Sequence, residues 1–448
     1  MPITDLSSLS SFLDLDSFAE PQELMPPVPE LIEHTGIPAT MIEQLILKAL
    51  YYKGEMVGRE LAQHLGLEFS LIDGLLAGFK REHQVAVRSS LGMGTISSRF
   101  VLTEAGRDLA KEYVATNAYS GRVPVPLFQY VDMVRRQKQN NGWLTMDALK
   151  GAYKHMVITP ELLNQLGPAV NSGKSFLIYG QPGNGKTYLA EALFNVDQSH
   201  IYVPYALEAQ GMIIQMYDPV YHHAVEEAPA ALSAFTTTAT FDNRWFKCRR
   251  PFIVTGGELA PEMLDLSYNN DAKFYDAPLQ LKANNGIYLI DDFGRQRVTP
   301  AEVLNRWIVP MERRVDYLTF QNGAKMTTPF ECFLVFSTNL KPDQLGDEAF
   351  LRRIQYKMLM RSPSEQEFAS IFTNYARSQE LDCTPELVDR FLERHYRQSG
   401  KARRRCHPRD VLSHAIDILR FERRPFALND EVLTMAFESN FVSSDDDD

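Results

Sequence analysis

The chain contains 448 residues, of which 44% are hydrophobic and 23% are charged, and its formal net charge is −11. This composition excludes a wholly disordered chain, and the length favours about two to four folded units. No apolar run approaches the roughly 20 residues of a membrane-spanning helix, and the N-terminus lacks the basic and apolar regions of a secretory signal, so we expect a cytoplasmic protein.

Both ends of the chain are acidic. Ten of the acidic residues lie within 1–30 and 445–448, and these two segments contain no Lys or Arg. We predict disordered acidic tails over 1–29 and 439–448, because few of their residues could join a packed core. The remaining body carries a net charge of only −1, which neither favours nor opposes a polyanionic partner.

Residues 30–119 are predicted to form a winged helix-turn-helix domain. Apolar residues recur at helical spacing in three stretches, which are followed by two extended stretches and a further helix from Thr103. The predicted helices and strands lie, in order, at 41–51, 60–65, 70–80, 85–89 and 97–102. Gly92 and Gly94 lie between the two strands, and three helices followed by a glycine-tipped hairpin are typical of this motif.

The expected recognition helix of this domain offers little to DNA. Its exposed early positions are Ser70, Asp73, Gly74 and Ala77, and none of them is a base-reading Arg, Lys, Asn or Gln. Residues 31–122 contain ten basic and ten acidic residues, whereas a DNA-binding domain usually carries a basic face. Docking of a protein is therefore favoured over sequence-specific reading of DNA.

An α/β core and a helical lid are predicted after a partly helical linker over 120–160. Between 161 and 362, short apolar strands alternate with helices, which favours a five-stranded parallel sheet covered on both faces. The predicted strands are 175–179, 201–205, 287–290, 333–337 and 354–360. From 363 to 438 the pattern is helical only, so this part is predicted to form the lid.

An eight-residue motif follows the first predicted core strand and matches the phosphate loop of nucleotide-binding proteins. Its residues are Gly180, Gln181, Pro182, Gly183, Asn184, Gly185, Lys186 and Thr187. The glycines let backbone N–H groups face a phosphate, Lys186 can reach the β- and γ-phosphates, and the Thr187 hydroxyl can bind Mg²⁺. Because a helix begins at Tyr188 directly after the motif, we predict an ATP site made of residues 180–188.

Polar residues follow two other predicted strands. Asp291 and Asp292 come directly after the strand at 287–290, and Asn339 lies just beyond the strand at 333–337. Beside a phosphate loop, Asp291 can hold Mg²⁺ through water, and Asp292 can orient or deprotonate the attacking water. Asn339 can place its amide between that water and the γ-phosphate, although Asp and Asn are also common in plain turns.

In these motifs the chain resembles the AAA+ ATPases, and the resemblance covers about 160–437. It makes the phosphate loop the Walker A motif and 287–292 the Walker B motif. Asn339 then occupies the position of the sensor-1 residue. The resemblance implies a P-loop AAA+ core that binds ATP and Mg²⁺.

The same resemblance implies a set of arginine contacts. The segment 347–353 resembles the part of the family that carries the arginine finger, which reaches the γ-phosphate bound to the neighbouring subunit. Arg353 is slightly favoured over Arg352 for this role. His407-Pro408-Arg409-Asp410 resembles the sensor-2 motif, with Arg409 as the nucleotide-touching residue. Each of these arginines could instead form an ordinary surface ion pair.

Two features bear on the position of the chain within the family. The family usually has Glu where this chain has Asp292, which is shorter by one methylene, although Asp-Asp occurs in the initiator and helicase-loader branch. Asn322-Gly323 predicts a two-residue hairpin turn within 315–326. A hairpin at this position, and the segment 304–314 before it, resemble the branch with a hairpin before sensor 1 that includes MoxR-like proteins. A plain surface hairpin explains the same pattern equally well.

Residues 206–285 are long for one connection between strands, so we expect an insertion with its own strands, including one at 251–254. His222-His223 lies within it, but no further ligand has suitable spacing, so no metal site is predicted there. The four cysteines form no Cys-x-x-Cys pair, so neither a disulfide framework nor a zinc knuckle is indicated.

The expected function is Mg²⁺-dependent ATP hydrolysis that drives motion between subunits of a homo-oligomeric ring. A hexamer is expected, because an arginine finger needs the phosphate of a neighbour. The leading interpretation is a MoxR-like remodeller or assembly chaperone that acts on a protein client. A DNA-directed ATPase of the initiator, loader or transposition kind remains an alternative, supported by the winged helix and Asp291-Asp292. A nucleotide switch without turnover is a third, supported only by Asp292.

Overall fold

The computed structural model describes residues 25–90, 92, 94–139, 143–197, 199–225, 240–346 and 351–441. Most of both predicted tails, at 1–24 and 442–448, lies outside the described residues. The same is true of 347–350, which is part of the segment expected to carry the arginine finger.

The first unit combines four helices with three short strands. Its elements are α1 (Ala39–Lys53), β1 (Glu55–Val57), α2 (Gly58–Leu65), α3 (Phe69–Arg81), β2 (Val85–Ser90), β3 (Ser98–Leu102) and α4 (Glu104–Thr116). The strands form an antiparallel sheet of order β1-β3-β2. The helices and strands lie within a few residues of their predicted positions. The strand β1 was not predicted, because three residues are too few to show a period.

A connecting segment follows the first unit. It contains β4 (Val125–Pro126), α5 (Leu127–Arg136), α6 (Met146–Ala152) and α7 (Pro160–Ser172). Tyr130, Met133 and Val134 of α5 are buried in one hydrophobic cluster with residues of the insertion. This spacing is that of one helical face, so α5 is packed on its inner side.

The remaining elements alternate strands and helices before a run of helices. In order they are β5 (Phe176–Tyr179), α8 (Lys186–Glu191), β6 (His200–Pro204), β7 (Ala206–Ala209), β8 (Met212–Gln215), β9 (Trp245–Arg249), β10 (Phe252–Thr255), β11 (Ser267–Asn269), β12 (Phe274–Asp276), α9 (Leu279–Lys282), β13 (Ile287–Ile290), α10 (Pro300–Arg313), β14 (Val315–Thr319), β15 (Lys325–Pro329), β16 (Phe333–Thr338), β17 (Tyr356–Leu359), α11 (Glu365–Ser378), α12 (Pro385–Leu392), α13 (His407–Phe421) and α14 (Asp430–Asn440).

A five-stranded parallel sheet of order β10-β13-β16-β5-β17 forms the core, which confirms the predicted α/β fold class. Every residue of β16 is buried. Hydrophobic clusters lie on both faces of the sheet, one around Trp307 of α10 and the other around Leu166 of α7. Parallel strands need such cover on both faces, which is why they read as continuous apolar runs.

One predicted member of this sheet is wrong. The strand expected at 201–205 is β6, which pairs antiparallel with β9 in a separate two-stranded sheet. The fifth strand of the core is β10, which was predicted as part of the insertion and pairs in parallel with β13. Both segments are short apolar runs, and periodicity cannot decide which of two such runs reaches the sheet.

The insertion builds a second five-stranded sheet of order β11-β12-β8-β7-β4. Its last strand, β4, comes from the segment predicted to be a linker. Ala206 and Ile213 of this sheet are buried in the same hydrophobic cluster as the core of the first unit. The first unit therefore packs directly against the insertion.

A buried arginine also links these parts. Arg244 forms a two-point ion pair with Asp242, and both side chains are 2% exposed. It also donates hydrogen bonds to the carbonyl oxygens of Thr35 and Pro124, at 2.8 and 3.4 Å. A buried charge is tolerated only when it is paired and hydrogen-bonded, so this side chain fixes three segments to one another.

The hairpin predicted around Asn322-Gly323 is formed by β14 and β15. Its turn is longer than the two residues predicted. Phe320 N donates to Ala324 O, which leaves residues 321–323 as the turn, and Gly323 N donates to Phe320 O, at 2.9 Å each. Gly323 has φ +81°, so it supplies the left-handed residue that a bulged hairpin turn requires.

The helices α11 to α14, which lie in the region predicted to be the lid, share a core that includes Phe368, Phe391, Leu412 and Phe437. This agrees with the purely helical pattern of the sequence. Within the residues that the structure describes, no helix is both long and apolar enough to cross a membrane.

Candidate functional site

The loop between β5 and α8 passes close to other backbone segments, and its glycines allow this. Gly180 has φ +144°, and a Cβ atom there would lie 2.4 Å from the carbonyl oxygen of Met360. Gly183 has φ +76°, and a Cβ atom there would lie 2.7 Å from Cys406 Sγ. No side chain fits at these positions without a shift of the neighbours, so the loop depends on glycine here.

Lys186 lies at the start of α8 with its ammonium group turned back over the loop. Its Nζ donates hydrogen bonds to the carbonyl oxygens of Gly180 and Gln181, at 3.1 and 3.2 Å, and to Asn339 Oδ1 at 2.5 Å. Burial lowers the pKa of Lys186 below its ordinary value, although the carboxylates of Asp292 and Asp291 act in the opposite direction. The carbonyl oxygens of the loop thus hold the Lys186 ammonium group beside the place where a phosphate would bind.

Thr187 and Asp291 bring two oxygen ligands together. The Thr187 hydroxyl donates to Asp291 Oδ2 at 2.8 Å. In the described residues, no group of three or more His, Cys, Asp or Glu side chains could form a complete metal cage. A hydroxyl and a carboxylate side by side fit Mg²⁺, which prefers few protein oxygens and keeps water or phosphate as its other ligands.

Asp292 and Asn339 lie next to each other at the carboxyl ends of β13 and β16. Asn339 Nδ2 donates to Asp292 Oδ1 at 2.9 Å, while its Oδ1 accepts from Lys186. Asp292 has φ +48°, a left-handed conformation that Asp tolerates better than most residues. One hydrogen-bonded chain therefore joins the predicted base, the predicted sensor-1 residue and the predicted phosphate-binding lysine.

The segment after β13 is fixed by bonds to both neighbouring strands. Asp291 N donates to Thr255 O, and Phe293 N donates to Ser337 O, at 2.8 and 2.7 Å. Gln296 Nε2 donates to Asp291 O at 2.8 Å. Gln296 was not predicted to be part of the site. The sequence gives no indication of its role except its position a few residues after Asp291 and Asp292.

The lid reaches the loop through a segment before α13. Cys406 N donates to Gly183 O at 2.9 Å. Arg404 donates to the Ser362 hydroxyl at 2.8 Å, and Asn184 Nδ2 donates to the same hydroxyl at 3.4 Å. The run Arg403-Arg404-Arg405 is the only dense basic run of the sequence, and a contact with a phosphate or another subunit suffices to explain it. The bonds to Ser362 and Gly183 were not predicted.

The three predicted arginines are exposed or half-buried, and two of them pair with acidic residues. Arg409 is exposed and donates to Asp410 Oδ1 at 2.9 and 3.0 Å. Arg353 forms an ion pair with Glu312 at 2.8 Å, and Arg352 is exposed. Thus the described contacts do not bring these arginines to the phosphate loop of their own chain.

Tyr188 adds an aromatic ring beside the loop. It is 51% exposed, and its ring meets that of His155 edge to face with centroids 5.6 Å apart. The backbone near His155 is tied to the lid, because Arg405 donates to the carbonyl oxygen of Val157 at 2.8 Å. An exposed aromatic ring in this position is available to a flat ligand group.

The histidine pair of the insertion has a structural explanation. His222 Nδ1 accepts from Asp218 N, and its Nε2 lies 3.0 Å from the carbonyl oxygen of Lys282. Burial lowers the pKa of His222, so the neutral ring that makes these bonds is favoured. Both ring nitrogens of His222 therefore have hydrogen-bonding partners within the protein.

Comparisons with known proteins cover parts of the chain. A family profile described as a domain of unknown function (DUF8689) matches residues 364–439, which hold the lid helices. No curated protein matches the chain.

Among solved structures, the chain is similar to NtrX from Brucella abortus, with 11% identity, a TM-score of 0.36 and coverage of 68% of this chain and 57% of that chain. It is similar to the same protein in complex with ADP, with 13% identity, a TM-score of 0.39 and coverage of 66% and 60%. It is also similar to a mutant of RuvB from Thermotoga maritima, with 13% identity, a TM-score of 0.35 and coverage of 66% and 71%. The chain thus spans less than two thirds of the two NtrX chains.

Proposed function

We propose that this protein is an AAA+ ATPase that binds and hydrolyses ATP with Mg²⁺. The observation that carries the proposal is the chain of contacts from Lys186 through Asn339 to Asp292, beside the Thr187–Asp291 pair. These side chains follow the ends of two parallel strands, β13 and β16, or lie at the start of α8, which the loop after β5 leads into. The carboxyl end of an open α/β sheet is where such folds bind ligands.

In the proposed reaction, each residue has one task. Lys186 binds the β- and γ-phosphates, and Thr187 with Asp291 holds Mg²⁺, which neutralises phosphate charge when it is bound. Asn339 orients the attacking water, and Asp292 accepts its proton. Tyr188 lies one residue beyond the magnesium ligand, where its exposed ring can contact the base or ribose of the nucleotide.

We propose that the protein acts as a homo-oligomeric ring, expected to be a hexamer. Arg353 lies near the amino end of β5, where its carbonyl oxygen accepts from the Ser175 hydroxyl and its guanidinium pairs with Glu312. An arginine finger that serves a neighbouring subunit would likewise lie outside the nucleotide site of its own chain. Sedimentation with an ATP analogue would test the ring, and a particle that stays monomeric at micromolar concentration would contradict it.

We also propose the division of the chain into a winged-helix domain over 30–119, a linker over 120–160, an AAA+ core over 161–362 and a lid over 363–438, with acidic tails at either end. A protein client is favoured over DNA, because the exposed residues in the early part of α3 are Ser70, Gly74 and Ala77, and its basic residues Lys80 and Arg81 lie only in the last turn. The hairpin β14–β15 supports the MoxR-like branch.

The test of the ATPase proposal compares two lysines on either side of β5. Lys186→Ala should weaken Mg-ATP binding at least about tenfold and remove turnover, because it deletes a charge-assisted phosphate contact. The control is Lys174→Ala, since Lys174 is exposed at the other end of the strand, and it should leave both unchanged. Calorimetry and phosphate release measure the two quantities. Equal turnover in both variants would contradict the proposal.

A further inference from the structure

Three consecutive arginines of the lid are used in two different ways. Arg403 pairs with Glu365 at 3.2 Å, and Arg405 pairs with Glu367. Both glutamates belong to the first turn of α11. Arg403 and Arg405 therefore attach the segment before α13 to α11, whereas the Arg404 guanidinium donates to the Ser362 hydroxyl, two residues before the N-cap of that helix.

Arg404 lies against the phosphate loop. The nearest atoms to a Cβ built on Gly183 include Arg404 Cβ and Cγ, at 3.5 and 3.7 Å. Two residues on, Cys406 N donates to Gly183 O. The Arg404 guanidinium donates to the Ser362 hydroxyl, and within the described residues it forms no ion pair. Its two neighbours in the run each have an acidic partner.

The charge of Arg404 bears on the charge of Lys186. Arg404 and Lys186 are both cations beside the same phosphate loop, and like charges placed close together repel each other. Asp291 and Asp292 offset the charge on the Lys186 side. A multiply charged anion bound in the loop would relieve the repulsion and supply Arg404 with the acidic partner that it lacks.

We propose that Arg404 binds a phosphate of the nucleotide and so makes the position of the lid depend on the occupant of the loop. The inference rests on the proposed ATPase function and names a residue outside the sensor-2 motif. Arg409, the residue expected from that motif, is turned toward Asp410. The Arg404 side chain is only half-buried, which leaves its guanidinium able to exchange Ser362 for a phosphate oxygen.

The experiment uses the full chain and measures the affinity for Mg-ATP analogue, tripolyphosphate and AMP by calorimetry. Arg404→Ala should weaken the binding of the first two about 10- to 100-fold, which is the usual cost of one charge-assisted hydrogen bond. It should leave AMP binding within about twofold. Arg404→Lys should recover part of the loss, because it keeps the charge but not the planar fork.

Arg403→Ala is the matched control, since it removes a neighbouring arginine that faces α11 instead of the loop. It should change the affinities less than about threefold. Circular dichroism melting of each variant checks that the lid is folded.

The outcomes separate the two proposals. If the unaltered protein binds no Mg-ATP analogue, both fail. If Lys186→Ala abolishes binding while Arg404→Ala binds the analogue as the unaltered protein does, the ATPase proposal stands and the role of Arg404 is wrong. An equal loss of AMP and ATP analogue in Arg404→Ala would also overturn it, because a contact to base or ribose would then explain the effect.

Discussion

The carboxyl edge of the parallel sheet and the insertion use charged side chains in opposite ways. At the sheet edge, Asp292 is exposed and its described partner is a single neutral amide. In the insertion, Arg244 is buried with Asp242, and Lys282 lies between two carboxylates at 3.0 Å each. Buried charges that are paired with opposite charges hold segments together. An exposed charge with unused hydrogen-bonding capacity is instead available for chemistry. Burial alone therefore does not identify a site.

The largest expected effect is at the sheet edge. Asp292→Asn should lower turnover about 100- to 10,000-fold, because the amide cannot accept the proton of the attacking water. Nucleotide binding should persist, since Lys186 and Thr187 are untouched. Phosphate release under saturating Mg-ATP measures the change.

Asp276→Asn provides the comparison within the insertion. It removes one of the two carboxylates beside Lys282, and turnover should stay within about twofold of the unaltered protein. If Asp276→Asn lowered turnover as much as Asp292→Asn, the distinction between the two regions would fail.

The next effect is on stability and belongs to the insertion. Asp242→Ala leaves the Arg244 guanidinium buried without its carboxylate, which should cost about 3–5 kcal/mol in the free energy of unfolding. Urea denaturation followed by tryptophan fluorescence reports on this region, because Trp245 is adjacent and buried.

An exposed ion pair serves as the reference for that measurement. Arg390 and Asp430 pair at 3.0 Å with side chains 57% and 48% exposed, and Arg390→Ala should cost less than about 1 kcal/mol. A loss below 1 kcal/mol for Asp242→Ala as well would show that the buried pair contributes little.

The smallest expected effect is a pH dependence of the insertion. Burial lowers the pKa of His222 in the folded protein below its ordinary value of 6.5, so the unfolded chain binds the proton first. Stability from this group is therefore complete above pH 6.5 and falls as the pH drops toward the folded pKa. The nearby Asp218 carboxylate acts to raise the pKa of His222, and the positive charge of Lys282 acts to lower it.

Urea midpoints between pH 7.5 and 5 measure this effect. His222→Gln should flatten the pH dependence of the midpoint, whereas His223→Gln, at the exposed neighbouring position, should not. An unchanged slope in His222→Gln would assign the acid sensitivity to other groups.

Local patterns predicted the parts of the site that lie within one element and its loop. The phosphate loop needs glycines at fixed offsets from Lys186, and Asp291-Asp292 must follow an apolar strand, so both could be found by spacing. The contact between Lys186 and Asn339 joins residues 153 positions apart. This contact can be predicted only because parallel strands bring their carboxyl ends to the same edge of the sheet.

The rest depended on packing between distant segments. The strands β6 and β10 are both short and apolar, and only the parallel register of Phe252 with Ile287 shows which of them enters the core. Arg404 is likewise indistinguishable from Arg403 and Arg405 in the sequence. Its position follows from Glu365 and Glu367, which lie nearly 40 residues earlier and fix its two neighbours.

The shared core of the first unit and the insertion has a consequence for dissecting the protein. Ala206 and Ile213 of the insertion are buried among side chains of the first unit, and Phe274 packs edge to face on Tyr119. Removal of the first unit would leave these residues without cover and expose an apolar surface that favours association. The first unit is thus part of the folding unit that contains the insertion, and a fragment that lacks it is expected to aggregate.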